Sequence, residues 1–381
     1  MRLSEYIGSR DNNLNLLRMV AALAVLVGHS FALLAQPEPW GELTGMTPGS
    51  IAVDVFFIVS GMLVTGSLVN KQSVIDYVCA RALRIFPALI CMLLLTVFLL
   101  GPYFSSLPMT EYLSAAATWK YLLKCASLLP DIAYTLPGVF AHNPYPYAVN
   151  GSLWSMPYEI KMYLLLSALW CCLTLLKKWR IQILVYLISA VTLLAAMLMF
   201  TRHFYLYPDS EFLLHFYPYY DSQFARLLFM FFSGASLFML KEKLVLTRRF
   251  FYPLLSLVLA TAFISKPLFF ISYNLTIAYL VACVAYLPGR WLRAYNSVGD
   301  YSYGVYIYAF PVQQAIAALF PGIAVWSMVA ASGFVTMLLA LFSWHMIEKP
   351  ALALKSATVS RLRNYLSLKT EASFTSVPQC D

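Results

Sequence analysis

Apolar runs long enough to cross a bilayer recur along the whole chain, and that recurrence leaves few architectures open. Crossing the hydrocarbon takes roughly 20 mostly apolar residues in a helix, and only helices and closed barrels satisfy their own backbone groups in lipid. The runs fall at approximately 14–35, 50–69, 83–101, 152–176, 181–201, 222–240, 250–265, 267–287, 299–319 and 322–344. They predict an all-α, polytopic integral membrane bundle of about ten transmembrane helices. A composition of 61% hydrophobic and 11% charged residues agrees, because a soluble domain carries charge on about a quarter of its residues.

The formal charge of +9 would suit nucleic acid if the basic residues formed a patch, but they alternate between loops instead. With the N-terminus cytoplasmic, the inner segments hold 19 of the 26 Lys and Arg, while the outer ones hold Lys120, Lys124, Arg202 and Lys266. The positive-inside rule then puts both termini in the cytoplasm, with lipid and no nucleic acid as partner. A further crossing at Tyr112 to Pro130 would invert this alternation. Residues 102–151 are therefore expected outside, with an interfacial or re-entrant helix carrying Lys120 and Lys124. Residues 1–349 read as one membrane domain and 350–381 as a polar, mobile cytoplasmic tail. The first run follows Arg2 and Arg10 as a signal peptide would. It contains Arg18 and His29 and lacks a small-residue cleavage site, so it is expected to stay as a span. The seven cysteines show neither a disulfide framework nor a zinc spacing, and no metal is expected.

Ionisable residues within spans are costly and mark function by default. Arg18 and His29 are eleven residues apart, within about 20° of three whole turns, so they share one stripe about 16 Å apart along the axis. Arg18 would lie near the inner end and His29 in the outer half. The plain alternative is an arginine snorkelling to headgroups and a packed histidine. Asp54 enters the second span at nearly the depth of His29, where a carboxylate can fix an imidazole's tautomer. Glu159, with Lys161 two positions on, enters the fourth span from the same side; its plain alternative is an ion pair with Arg18, Lys161 or Arg226. Arg81 and Arg84 share a helix face at the inner surface, either as topology anchors or as a fork for an anionic phosphate ligand.

Six ordered motifs spread between residue 12 and about 350 complete the pattern. They are Asn15-Leu16-Leu17-Arg18 with His29; Val53-Asp54-Val55-Phe56-Phe57-Ile58-Val59-Ser60-Gly61; Arg81-Ala82-Leu83-Arg84-Ile85-Phe86-Pro87; Gly151-Ser152-Leu153-Trp154-Ser155-Met156-Pro157-Tyr158-Glu159; Tyr301-Ser302-Tyr303-Gly304-Val305-Tyr306; and Glu348-Lys349-Pro350. Together they resemble the acyltransferase-3 family of integral-membrane O-acyltransferases of bacterial surface polysaccharides. The resemblance implies an enzyme of the bacterial inner membrane that takes an acyl group, usually acetyl, from cytosolic acyl-CoA. No cofactor is bound permanently. The acceptor implied is a hydroxyl of a cell-surface or exported glycan or a lipid-linked saccharide. It also implies a catalytic His29 supported by Arg18, and Arg81 and Arg84 on the CoA phosphates. Some relatives carry a C-terminal esterase-like domain; this chain ends about thirty residues after its last span, so none is expected.

The expected chemistry has His29, held by Asp54, acting as general base on the acceptor hydroxyl, with the pantetheine arm along the Arg18 stripe. Oxyanion donors would come from Arg18, Ser60 or a tyrosine between Tyr301 and Tyr306. Ser60, Tyr301 and Tyr303 are the candidate substrate-binding residues, and Glu159 would orient the acceptor or pair with a cation. Tyr145, Tyr147, Tyr217, Tyr219 and Tyr220 either stack on sugars or belong to the interfacial aromatic belt. The rival reading is a transporter or flippase of a polysaccharide precursor. It would favour inverted repeats and paired broken helices, and neither is visible.

Overall fold

The computed structural model describes residues 2–8, 11–38, 40–176, 178–205, 222–287 and 289–375. The described residues form helices joined by loops, with no strand beyond three isolated bridges. The principal helices are α1 (Leu14–Leu33), α2 (Pro48–Lys71), α3 (Val74–Leu95), α4 (Ala116–Ser127), α5 (Met156–Cys172), α6 (Arg180–Tyr205), α7 (Ser222–Met239), α8 (Arg248–Ile264), α9 (Lys266–Tyr286), α10 (Ser302–Leu319), α11 (Val325–Ser343) and α12 (Lys355–Thr375).

A helix occupies each of the ten expected spans, but among the described residues six helical runs are long and apolar enough to cross: Leu14–Leu33, Pro48–Lys71, Val74–Phe104, Arg180–Tyr205, Lys266–Tyr286 and Val325–Tyr365. The other four, α5, α7, α8 and α10, have 17 or 18 residues, at the short end of what crosses hydrocarbon. The chain is thus an all-helical, multi-pass membrane protein with about six candidate spans. In the 102–151 segment α4 has 12 residues, too short to cross.

Local sequence accounts for the helix starts. Thr47 accepts from the Ser50 N–H with Pro48 at the first helical position of α2, and Ser73 accepts from the Asp76 N–H at α3. Both relieve donors that a helix start leaves unpaired. Because Ser73 caps it, α3 begins nine residues before the apolar run at 83, so Arg81 and Arg84 lie two to three turns into the helix instead of in its first turn.

α2 is the central element, packed by α1, α7, α3, α9 and α5. Its contact with α7 depends on two glycines. A Cβ on Gly61 would lie 1.9 Å from the Phe231 carbonyl oxygen, and one on Gly234 would lie 1.9 Å from that of Ile58. Small residues let membrane helices approach backbone to backbone. Cross-helix pairs fix relative directions. Arg18 meets Asp300 and Leu26 meets Gln313, so α1 and α10 run parallel; Asp54 meets Arg226 and Gly66 meets Phe238, so α2 and α7 do too. The two ends of the bundle are called below the Arg18 end and the His29 end.

The segment after α11 departs from the expected mobile tail. α11 continues through a π-turn, Trp344–Glu348, into Lys349–Ala353 and then α12. α12 lies against α3, where Arg363 pairs with Asp76 and donates to Ser73 Oγ, and Val359 is buried.

Candidate active site

A cavity of about 450 Å³ opens at the Arg18 end between α2, α3, α5 and α10. Arg18, Ser60, Arg81, Arg84, Glu159 and Tyr303 all line it. Residues 60 and 159 meet because α2 and α5 pack together. Ser60 Oγ donates to Glu159 Oε1 at 3.1 Å, Tyr163 donates to the same oxygen, and the Ser60 and Tyr163 hydroxyls lie 2.8 Å apart. Glu159 thus sits among hydroxyls and forms no ion pair with Arg18, Lys161 or Arg226. Lys161 instead lies over the Tyr158 ring.

The two arginines of α3 are in different states. Arg84 is paired twice: it donates to Asp300 Oδ2 at 2.6 Å and Glu348 Oε2 at 2.8 Å, beside the faces of Tyr303 and Trp344. Arg18 shares Asp300 Oδ2 at 2.5 Å, and Ser302 and Ser343 hold the remaining oxygens of Asp300 and Glu348. Arg81 makes no hydrogen bond or ion pair among the described residues, and its buried Nε lacks an acceptor. Spacing suggested a two-pronged fork; the structure leaves one prong free at the cavity.

His29 lies beyond the far end of this cavity. Its Nδ1 is 3.5 Å from Ser152 Oγ and its ring packs edge-on against Phe310 at 5.1 Å, while no group among the described residues hydrogen-bonds Nε2. Ser152 belongs to a short 3₁₀ turn, Gly151–Ser155, capped by Asn150, whose Nδ2 reaches the Ile307 carbonyl. Tyr306 joins the two regions. It lines the cavity, donates to the Ser152 carbonyl at 2.6 Å and lies 2.6 Å from Ser155 Oγ. A chain of contacts therefore runs from the cavity through Tyr306 and Ser152 to the imidazole.

Asp54 does not meet His29. It is fully buried on the α7 side of α2, 3.4 Å from Arg226 Nη1 and 3.0 Å from the Tyr273 hydroxyl. On α2 it is Gly49 that packs against Gly28, beside His29, while Asp54 lies further along the helix and faces other neighbours; Ser152 stands where a carboxylate was expected. Tyr303 lines the cavity and donates to the Ile85 carbonyl; Tyr301 turns away, donates to Val298 O and packs against Trp344 and His345. Tyr145 packs edge-on against Phe310 at the His29 end and is 46% exposed, free to meet a ligand from outside; Tyr147 is exposed too. Tyr217, Tyr219 and Tyr220 lie outside the described residues.

Sequence reasoning missed Asp300, the hub of the arginine cluster; its one signal is a carboxylate just before a helix start, where anions are favoured. It also missed Gln314, which donates to the Tyr145 and Ala148 carbonyls and ties that loop to α10. Glu38 was missed as well. It folds over Gly28, next to His29, and burial raises its carboxyl above the usual range.

Comparison with known proteins decides what this arrangement belongs to. A family model described as an acyltransferase domain matches residues 11–345. The chain belongs to the acyltransferase-3 family. It is 31% identical over 367 residues to an O-acetyl transferase of Shigella phage Sf6, covering 92% of this chain and 99% of that protein. Similarity to nodulation protein 10 of Rhizobium leguminosarum bv. viciae is 26% over 396 residues, covering 94% and 98%. No solved structure matches. As an acyltransferase the chain needs an acyl donor and an acceptor. The cavity and the His29 region lie toward opposite ends of one bundle, joined at Tyr306.

Proposed function

We propose that the chain transfers an acyl group, most simply acetyl, from cytosolic acyl-CoA to a hydroxyl of a cell-surface or exported glycan, across the bacterial inner membrane. The observation that carries this reading is the contact chain from the arginine-lined cavity through Tyr306 and Ser152 to His29. The donor enters at the Arg18 end, its thioester arm among Phe56, Phe57 and Ser60 and its phosphates toward Arg81. Arg18 and Arg84 act through Asp300, tying α1, α3 and the start of α10 into a fixed wall. Asp54 keeps α2, α7 and α9 in register through Arg226 and Tyr273.

The acceptor hydroxyl approaches from the His29 end. His29 Nε2 takes its proton as the oxygen attacks the thioester carbon, and Ser152 on Nδ1 sets the ring's orientation. The carbon–sulfur bond then breaks, and the proton passes to the departing thiolate. The Tyr306 hydroxyl, by turning from the Ser152 carbonyl, supplies a donor for the oxyanion. Glu159, among hydroxyls on the donor side, positions the thioester arm through Ser60.

The test is incubation of purified protein with radiolabelled acetyl-CoA and extracted surface glycan. Label on glycan supports the reading, whereas glycan movement without label transfer would identify a transporter. Mass spectrometry of surface polysaccharide from cells with and without the gene then names the acyl group and the sugar.

A further inference from the structure

A second cavity, of about 350 Å³, lies on the Arg18 end between α12 and the start of α3. Its walls are basic: Lys71, Lys355 and Arg363 line it, with Asp76 as the one carboxylate among the lining residues. Asp76 is committed to Arg363 and Ser73 and lies 3.9 Å from Lys71. Lys355 forms no ion pair among the described residues, yet it faces both Lys71 and Arg81. Cations held side by side repel one another, and such a cluster is stabilised when an anion enters.

Lys355 also lines the larger cavity, alongside Arg81. The two compartments therefore meet at Lys355, and the cations without carboxylate partners are Lys355 at that junction and Arg81 on the larger side of it. The serine hydroxyls of Ser356 and Ser360, one turn apart on α12, face the smaller one and add neutral donors suited to phosphate or ribose oxygens.

We propose that this second compartment holds the phosphorylated nucleotide end of the acyl-CoA donor, with Lys355, Lys71 and Arg363 on its 3′-phosphate and Arg81 on its diphosphate. The C-terminal helix is then part of the donor site. The proposal rests on the acyl-CoA reading above and adds to it which chain segment reads the nucleotide. It explains why a polar helix packs on α3 when a tail would otherwise be solvated, and why the larger cavity holds only one unpaired guanidinium for a donor with several phosphates.

The test is calorimetric binding of CoA and of dephospho-CoA, which lacks only the 3′-phosphate, to the full-length protein in neutral detergent. Wild type should bind CoA about tenfold more tightly or better, as expected for charge-assisted phosphate contacts. Lys355→Gln and Lys71→Gln should each reduce that preference, with dephospho-CoA affinity little changed and the protein still monodisperse. Equal wild-type affinity for the two ligands overturns the proposal without any variant. A preference that survives the double variant overturns it as well, while leaving the acyl-CoA reading intact. Failure of wild type to bind either ligand overturns both. Phosphatidylglycerol that copurifies with wild type but not with the double variant, with CoA preference unchanged, would assign the cluster to lipid and overturn the proposal.

Discussion

Arg81 and Arg84 are three residues apart on one helix, yet their surroundings give them separate tasks. Arg84→Ala strands the buried Glu348 and leaves Asp300 to Arg18 alone, and breaking a buried pair costs about 3–5 kcal/mol. Its expected result is loss of folded protein, read by thermal aggregation in detergent. Arg81→Ala strands nothing; the expected outcome is wild-type stability with a raised KM for acyl-CoA, and an unchanged KM would remove Arg81 from the donor site. Ser152→Ala should lower kcat with little change in either KM and move the pH profile of kcat, whereas Ser152→Thr should restore it; a flat comparison would leave His29 oriented by packing alone. At Glu38 burial penalises the charged carboxylate, so its contribution to stability falls as pH rises above the usual carboxylate range. Glu38→Gln should therefore raise the thermal midpoint at pH 8 relative to wild type and leave it unchanged at pH 4. The scarcity of charge made Arg18, His29, Asp54, Glu159, Arg81 and Arg84 visible in sequence. Their partners were not visible, because Arg18 and Asp300 are 282 positions apart and only packing brings them together.

Among elements, the ten apolar runs located ten helices, since hydrophobic length is a direct readout of burial in lipid or in the bundle. Length did not separate the two kinds of burial. α10 is buried along almost its whole length and is set by contacts with α1 and α11, whereas α6 is long, apolar and largely exposed. The early start of α3 was hidden because its first turns carry Asp76 and Arg81 and do not look like a span. The Val53 to Gly61 motif is explained by two faces of one helix: Ser60 and Phe56 toward the cavity, Gly61 and Asp54 toward α7. Gly61→Ala would force a methyl to 1.9 Å from a carbonyl oxygen that a backbone fixes in place. The expected penalty exceeds the roughly 1–3 kcal/mol of ordinary overpacking, read as lost expression and a lower thermal midpoint; a fully stable Gly61→Ala protein would mean that α2 and α7 are less closely packed.

For the whole molecule, the fold brings a cationic cavity and a histidine toward opposite ends of one bundle, with Tyr306 and the Gly151–Ser155 turn between them. That separation suits the cytosolic donor and exported acceptor proposed above. Charge alternation predicts that the Arg18 end faces the cytoplasm. In a cysteine-free background, Tyr145→Cys should label with an impermeant maleimide in intact cells and Arg361→Cys only after permeabilisation; the reverse pattern would invert the donor and acceptor sides. The central claim is that His29 takes the acceptor's proton, and it is tested most directly by single-turnover transfer of radiolabel from acetyl-CoA to extracted glycan with wild type and His29→Ala, both shown to bind CoA equally. The account predicts a loss of about a hundredfold or more in the transfer rate, in the range of general-base catalysis. Transfer by His29→Ala at the wild-type rate would contradict it.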